Sequence, residues 1–189
     1  MAPISLSRRE AFAGALASLW VVPAIAHAQA AQAVPAWTPK ALTLDEARIL
    51  AAACERIVPA TDTPGAGAVG VPQFVDRAMA GWAEPDEAQR LRAGLAALDA
   101  QAKAQFKSPF AALPTEAQDA LLTAVQAEGS RFANGQPPQP HWFLALRELA
   151  TVGYFTSEAG ATKALRYDPV PGDYRGCVPL KEIGRAWAT

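Results

Sequence analysis

Apolar residues recur at three- and four-residue steps through most of the chain, separated by proline- and glycine-rich breaks. Thr43 and Glu46 make a T-x-x-E pattern in which each side chain can satisfy an orphan amide of a first helical turn. Behind it, Leu44, Ala47, Ala51, Cys54 and Val58 draw one apolar stripe, and Pro59 stops the helix. Residues 59–70 follow as a Pro/Gly/Ala loop. Pro72 suits the start of a second helix, with Phe74, Val75, Ala78, Met79 and Trp82 on one side. Pro85 opens a third, through Leu91, Leu95 and Leu98 toward Phe106. Thr115 and Gln118 read as another capping box, ahead of Leu121, Leu122 and Val125. After Pro137, Pro138 and Pro140, a fifth segment carries Trp142, Phe143, Leu146, Leu149 and Val152. No hairpin signature interrupts the series. The pattern predicts an all-α fold, an irregular bundle of about five helices spanning residues 43–165.

Both ends depart from this pattern. From Arg166 onward, Tyr167, Pro169, Pro171, Gly172, Tyr174, Gly176 and Pro179 are incompatible with a regular helix, yet the stretch is aromatic. Residues 166–189 therefore read as an extended arm with a short turn near Ile183 to Trp187. Packing of the arm on the domain and packing on a partner both stay open. Tyr154, Phe155, Arg166, Tyr167, Tyr174, Arg175 and Trp187 are the candidate partner-interface residues. Ser157 is placed to cap a short helix that Gly160 and the Lys163 region would end.

At the other end, Ser7-Arg8-Arg9 precedes a mildly apolar run interrupted by Gly14, Ser18 and Pro23. Two small-x-small patterns follow, Ala26-His27-Ala28 and Ala28-Gln29-Ala30. This is a signal-peptide layout over residues 1–30, and Arg8 and Arg9 point to the twin-arginine route. One departure is Ala11, where an aromatic is usual, with Phe12 after it. Residues 31–42 read as a tether. The expectation is a periplasmic domain with no membrane span once the leader is cleaved.

Charge and rare residues then narrow the chemistry. A formal net charge of −1 over 189 residues offers no phosphate-seeking surface, which argues against nucleic acid as a partner. Loss of His27 with the leader leaves His141 alone, beside Pro140 and Trp142 at a helix start, where capping or a surface position is expected. Cys54 and Cys177 are the two cysteines, and an even count in an exported domain favours a disulfide pinning the arm to the first helix. Such a bond stabilises by about 2–5 kcal/mol. The alternative is one buried thiol and one exposed thiol. Gly65-Ala66-Gly67-Ala68-Val69-Gly70 matches the dinucleotide fingerprint by letter, but Pro59 and Pro64 precede it where a buried strand is required. It reads as a flexible loop between helices. Covalent-haem, nucleophile-elbow, zinc-protease and phosphate-loop motifs are missing from the sequence, so no catalytic, cofactor-binding or metal residue is assigned.

The run Gly153-Tyr154-Phe155-Thr156-Ser157-Glu158 and the stretch from Ala164 to Tyr174 resemble the small subunit of gluconate 2-dehydrogenase, subunit 3. Leu44 through Pro59, with the Asp62-Thr63-Pro64-Gly65-Ala66 loop, is similar to that family's N-terminal segment, whereas 84–140 is generic. The resemblance implies a large flavoprotein partner of the glucose–methanol–choline type, which holds FAD and the catalytic residues. It also implies a c-type cytochrome, with haem c in a third subunit. Relatives act on other sugars, glucoside 3-dehydrogenases among them, so the sugar or polyol is not fixed. The chain itself would be a cofactor-free, non-catalytic accessory subunit that stabilises the flavoprotein and is exported with it. Two other readings stand beside this one. The first is a free-standing periplasmic binding or scaffold domain, and the second is an autonomous enzyme using carboxylates such as Asp62 or Asp168.

Overall fold

The capping box at Thr43 forms as its residue types require. The Glu46 amide donates to Thr43 Oγ1 at 3.3 Å, and Glu46 Oε2 accepts from the Thr43 amide at 2.8 Å. Helix α1, Leu44–Ile57, starts there. The computed structural model describes residues 37–135, 138, 140–170, 172 and 176–188. Its remaining long helices are α2 (Val71–Gly81), α3 (Pro85–Phe106), α4 (Thr115–Ala133) and α5 (Trp142–Phe155). A 3-10 turn, Phe110–Ala112, precedes α4, and a π-turn, Gly160–Ala164, follows α5. A single-turn helix, α6, spans Leu180–Ile183. Among the described residues there is no strand, only one parallel bridge between Arg166 and Trp187, so the chain is all-α. None of the described helices is long and apolar enough to cross a membrane.

Helix α5 lies at the centre, packed against α1, α2, α3 and α4. Its Leu146 and Ala150 meet a core containing Leu50, Val75, Leu95, Leu98 and Phe110. Two helix contacts depend on missing side chains. A Cβ at Gly94 would come within 2.1 Å of the Trp142 ring, and one at Gly153 within 2.6 Å of Phe74. Glycine at both places lets α5 approach α3 and α2 closely enough for these rings to lie on backbone.

Helix phases differ in places from the sequence pattern. On α1 the buried residues are Ala47, Ile49, Leu50, Ala53 and Cys54, while Leu44 is 52% exposed. Leu44 occupies the first turn, before the helix reaches the core, so the true stripe is broader and rotated toward Leu50. The second expected capping box does not form. Pro114 is the N-cap of α4, Thr115 is already helical, and the Gln118 side-chain amide is buried and donates to the Phe110 carbonyl at 3.1 Å. Gln118 thereby ties the 3-10 turn to α4 instead of closing a helix end.

Residues 37–42, expected as tether, are held to the helices; 31–36 lie outside the described residues. Asp76 of α2 is 1% exposed. Its carboxylate accepts the amides of Lys40, Ala41 and Leu42 at 2.7, 3.0 and 3.3 Å. Trp37 packs against the core beside this clamp. Three backbone donors converging on one carboxylate satisfy groups that burial would otherwise penalise.

Candidate functional site

Tyr154 ends the buried face of α5, and its environment decides what the candidate interface can be. It is 3% exposed. Its hydroxyl donates to the Pro64 carbonyl at 2.9 Å and lies 3.0 Å from Thr63 Oγ1. Tyr154 is therefore a pin between α5 and the 59–70 loop, and its ring is not available to a partner. The same loop is held from its other side by Glu55, whose carboxylate accepts the amides of Ala60 at 3.3 Å and Gly67 at 2.9 Å. The loop is built rather than flexible. A carboxylate already occupies the Gly67 amide within the G-x-G-x-x-G letters, where a nucleotide site would need that donor free for phosphate.

Beyond Tyr154 the chain turns sharply. Ser157 Oγ donates to the Tyr154 carbonyl at 2.6 Å and accepts the Gly160 amide at 3.1 Å, so it holds the first amide of the next turn, although Ala159 is that turn's N-cap. Gly160 opens that turn and does not end it, and its backbone passes directly over the Tyr154 carbonyl. The arm then folds back on this turn. The Arg166 amide donates to the Ala186 carbonyl at 2.8 Å, and the Ala188 amide donates to the Arg166 carbonyl at 2.9 Å. The Arg166 guanidinium sits 4.3 Å from the centre of the Trp187 ring, a cation–π contact. Arg185 donates to the Lys163 carbonyl. Phe155, Arg166, Tyr167 and Trp187 are all exposed; Arg166 and Trp187 are in contact, and Phe155 meets the buried Tyr154 edge-on. Tyr174, Arg175, Arg8 and Arg9 lie outside the described residues.

The cysteines do not pair in this structure. Both are free thiols, Cys54 enclosed in the core and Cys177 exposed. Burial pushes the Cys54 thiol far above its ordinary range, and the neighbouring Glu55 charge adds to the effect. A disulfide needs Cβ atoms about 4 Å apart, which one thiol in the core and one in solvent do not provide. Native protein at neutral pH should therefore take up one equivalent of maleimide quickly, at Cys177. The second should react only after unfolding, because the thiolate is the reactive form. Two equivalents blocked until a reductant is added would restore the cross-link.

His141 is the N-cap of α5. Its Nδ1 accepts the Phe143 amide at 3.3 Å, which leaves Nε2 as the protonated nitrogen of the neutral ring. The ring lies between Phe132 and Trp142, with centroids 5.4 and 6.0 Å away. Gly129 leaves room for it, since a Cβ there would meet His141 Nδ1 at 2.8 Å. The capping expectation is met, though the ring is buried and not on the surface.

Three polar features escaped the sequence reading. Asp76 and Asp99 hold loop amides, the latter accepting from Phe110 at 2.8 Å. Arg56 forks onto Asp119, with Nε at 2.7 Å and Nη2 at 3.2 Å. For Asp76 a signal existed, because it lies one turn from Pro72 and Met79 on the buried face, where an aspartate must be satisfied. The Arg56–Asp119 pair borders an open cleft of about 440 Å3 between the end of α1 and the facing sides of α4 and α5. Phe143 and Leu122 form its apolar floor, and Arg147 stands at its edge. Among the described residues no group of three His, Cys, Asp or Glu side chains converges to hold a metal ion.

A family model for gluconate 2-dehydrogenase subunit 3 matches residues 44–172, from the first residue of α1 into the arm. No match was found among curated proteins or among solved structures.

Proposed function

The chain belongs to the gluconate 2-dehydrogenase subunit 3 family, and on that premise we propose that it is the accessory subunit of a periplasmic, FAD-dependent sugar or polyol dehydrogenase. The flavin and the catalytic groups sit in a large flavoprotein partner of the glucose–methanol–choline type. A c-type cytochrome passes the electrons on. This chain stabilises the flavoprotein and carries it through export. The observation that carries the reading is the family match over most of the helical domain and the start of the arm.

The fate of the chain's own reactive groups supports a non-catalytic role. His141 spends its acceptor on a helix cap, Tyr154 its hydroxyl on a loop, and Glu55 and Asp76 their carboxylates on backbone amides. Acid–base catalysis needs such groups within reach of a substrate proton, and these are committed to the fold. The leader supports the escort role. Twin-arginine export carries proteins that are already folded, commonly around a cofactor, and a cofactor held by the partner gives the route its purpose.

Affinity purification of the tagged chain from its native host should yield a yellow complex with dye-linked sugar oxidation, while the mature chain alone should be inert. Replacing both Arg8 and Arg9 with lysine should leave chain and flavoprotein together in the cytoplasm, with periplasmic activity falling at least tenfold. Arrival of the flavoprotein in the periplasm without this leader would end the escort role.

A further inference from the structure

Two arginines face one cleft, and only one of them has its charge answered. Arg56 is locked in a two-point fork with Asp119, which fixes that wall and neutralises it. Arg147 lines the same cleft from α5, and among the described residues its guanidinium has no hydrogen-bond or ion-pair partner. The apolar floor of Phe143 and Leu122 keeps water from one side of any group that enters. An ion pair formed there is stronger than one on open surface.

From this asymmetry we infer that the cleft is the docking point for an acidic side chain of the dehydrogenase subunit, with Arg147 as its charge partner. The inference rests on the function proposed above and assigns it a surface. The shape of the cleft selects a protein side chain over a free small anion. Ligand pockets enclose most of a small molecule's surface, roughly 70–90%, whereas this cleft is open to solvent. A free carboxylate would stay hydrated on its open side. A side chain from a partner arrives with the rest of an interface, and that interface closes the open side. Arg147 presents five N–H donors in a planar fork suited to a carboxylate, and Thr123 on the opposite wall can serve a flanking peptide group.

The test is the dissociation constant of the complex between this chain and its flavoprotein, for wild type and four variants. Arg147→Glu should weaken binding about thirty-fold or more, the scale seen when one partner of a desolvated pair is lost. Arg147→Lys should fall between, because the charge stays and the fork is lost. Thr123→Trp, which fills the cleft without changing charge, should weaken binding as well. Arg77→Glu, the same charge reversal on the exposed face of α2 and away from this cleft, should change it less than threefold. Arg147 is exposed and unpaired, so helical content by circular dichroism should not move. Equal binding by wild type and Arg147→Glu overturns the inference, as does an equal loss with Arg77→Glu. Acetate that binds wild type but not Arg147→Glu, with the complex unaffected, would make the cleft a small-anion site and overturn docking. A wild-type chain that binds no flavoprotein sinks the functional reading itself.

Discussion

Asp76→Ala should destabilise the domain by about 3–5 kcal/mol and lower its melting temperature by roughly 10 °C. The carboxylate is buried and accepts three amides, and alanine leaves all three without an acceptor. Each orphaned buried donor costs about 1–3 kcal/mol. The full sum is not expected, because Lys40 is exposed and water can reach its amide once residues 37–42 loosen. Asp76→Asn is the informative companion. Its single carbonyl oxygen keeps one or two of the bonds and its NH2 faces a donor, so it should lose about half as much. Thermal melts followed by circular dichroism measure both, and proteolysis near residues 37–42 should accelerate in parallel. A loss below about 1 kcal/mol for alanine would mean that the clamp does not hold this segment.

The five long helices were readable because most open at a residue with a local physical reason. Thr43 offers a side-chain acceptor, and Pro72 and Pro85 lack a donor that a first turn would leave unpaired anyway. Local chemistry of that kind needs no knowledge of the rest of the fold. It failed at Thr115 and Gln118, where the right residue types stand at the right spacing but Pro114 takes the cap and the Phe110 carbonyl claims the side-chain amide. That competitor comes from the neighbouring turn, and no helix-local rule contains it. The same limit applies to α1, where a three-to-four periodicity allows several overlapping stripes among alanines. Leu50 is buried and Leu44 exposed only because of where the other helices lie.

How the arm folds back was partly legible for a related reason. Aromatic and arginine content marked the arm, where Arg166 and Trp187 do meet, and Phe155, Tyr167 and Trp187 are exposed. Composition could not separate Tyr154 from them, since its burial is set by a loop ninety positions earlier, at Pro64. The Cys54–Cys177 expectation rested on counting thiols and compartment, which says nothing about how deeply one of them lies. The Arg147 cleft had no sequence signal at all. An unpaired arginine is visible only when every possible partner has been placed.

Two Gly→Ala substitutions should move stability in opposite directions, which tests how the arm is attached. At Gly160 a Cβ would lie 1.9 Å from the Tyr154 carbonyl oxygen, with the Tyr154 carbonyl carbon at 2.8 Å and the Phe155 Cα at 3.0 Å. All three neighbours are backbone of α5, so no rotamer change can make room. The π-turn must move away, and Arg166 and Trp187 move with it. Gly160→Ala should cost about 3 kcal/mol and expose the arm to trypsin at Arg166 and Arg185. At Gly81, the last residue of α2, a Cβ would meet no atom within 4 Å, and the backbone there is not left-handed. Gly81→Ala should therefore gain about 0.4–1 kcal/mol by restricting the unfolded chain. Urea titrations of both variants, with limited trypsin digestion, read the two effects separately. If Gly160→Ala matched Gly81→Ala in stability and in digestion, the arm would not be anchored through the Tyr154 carbonyl. The exposed aromatic end would then lack a fixed geometry to offer a partner.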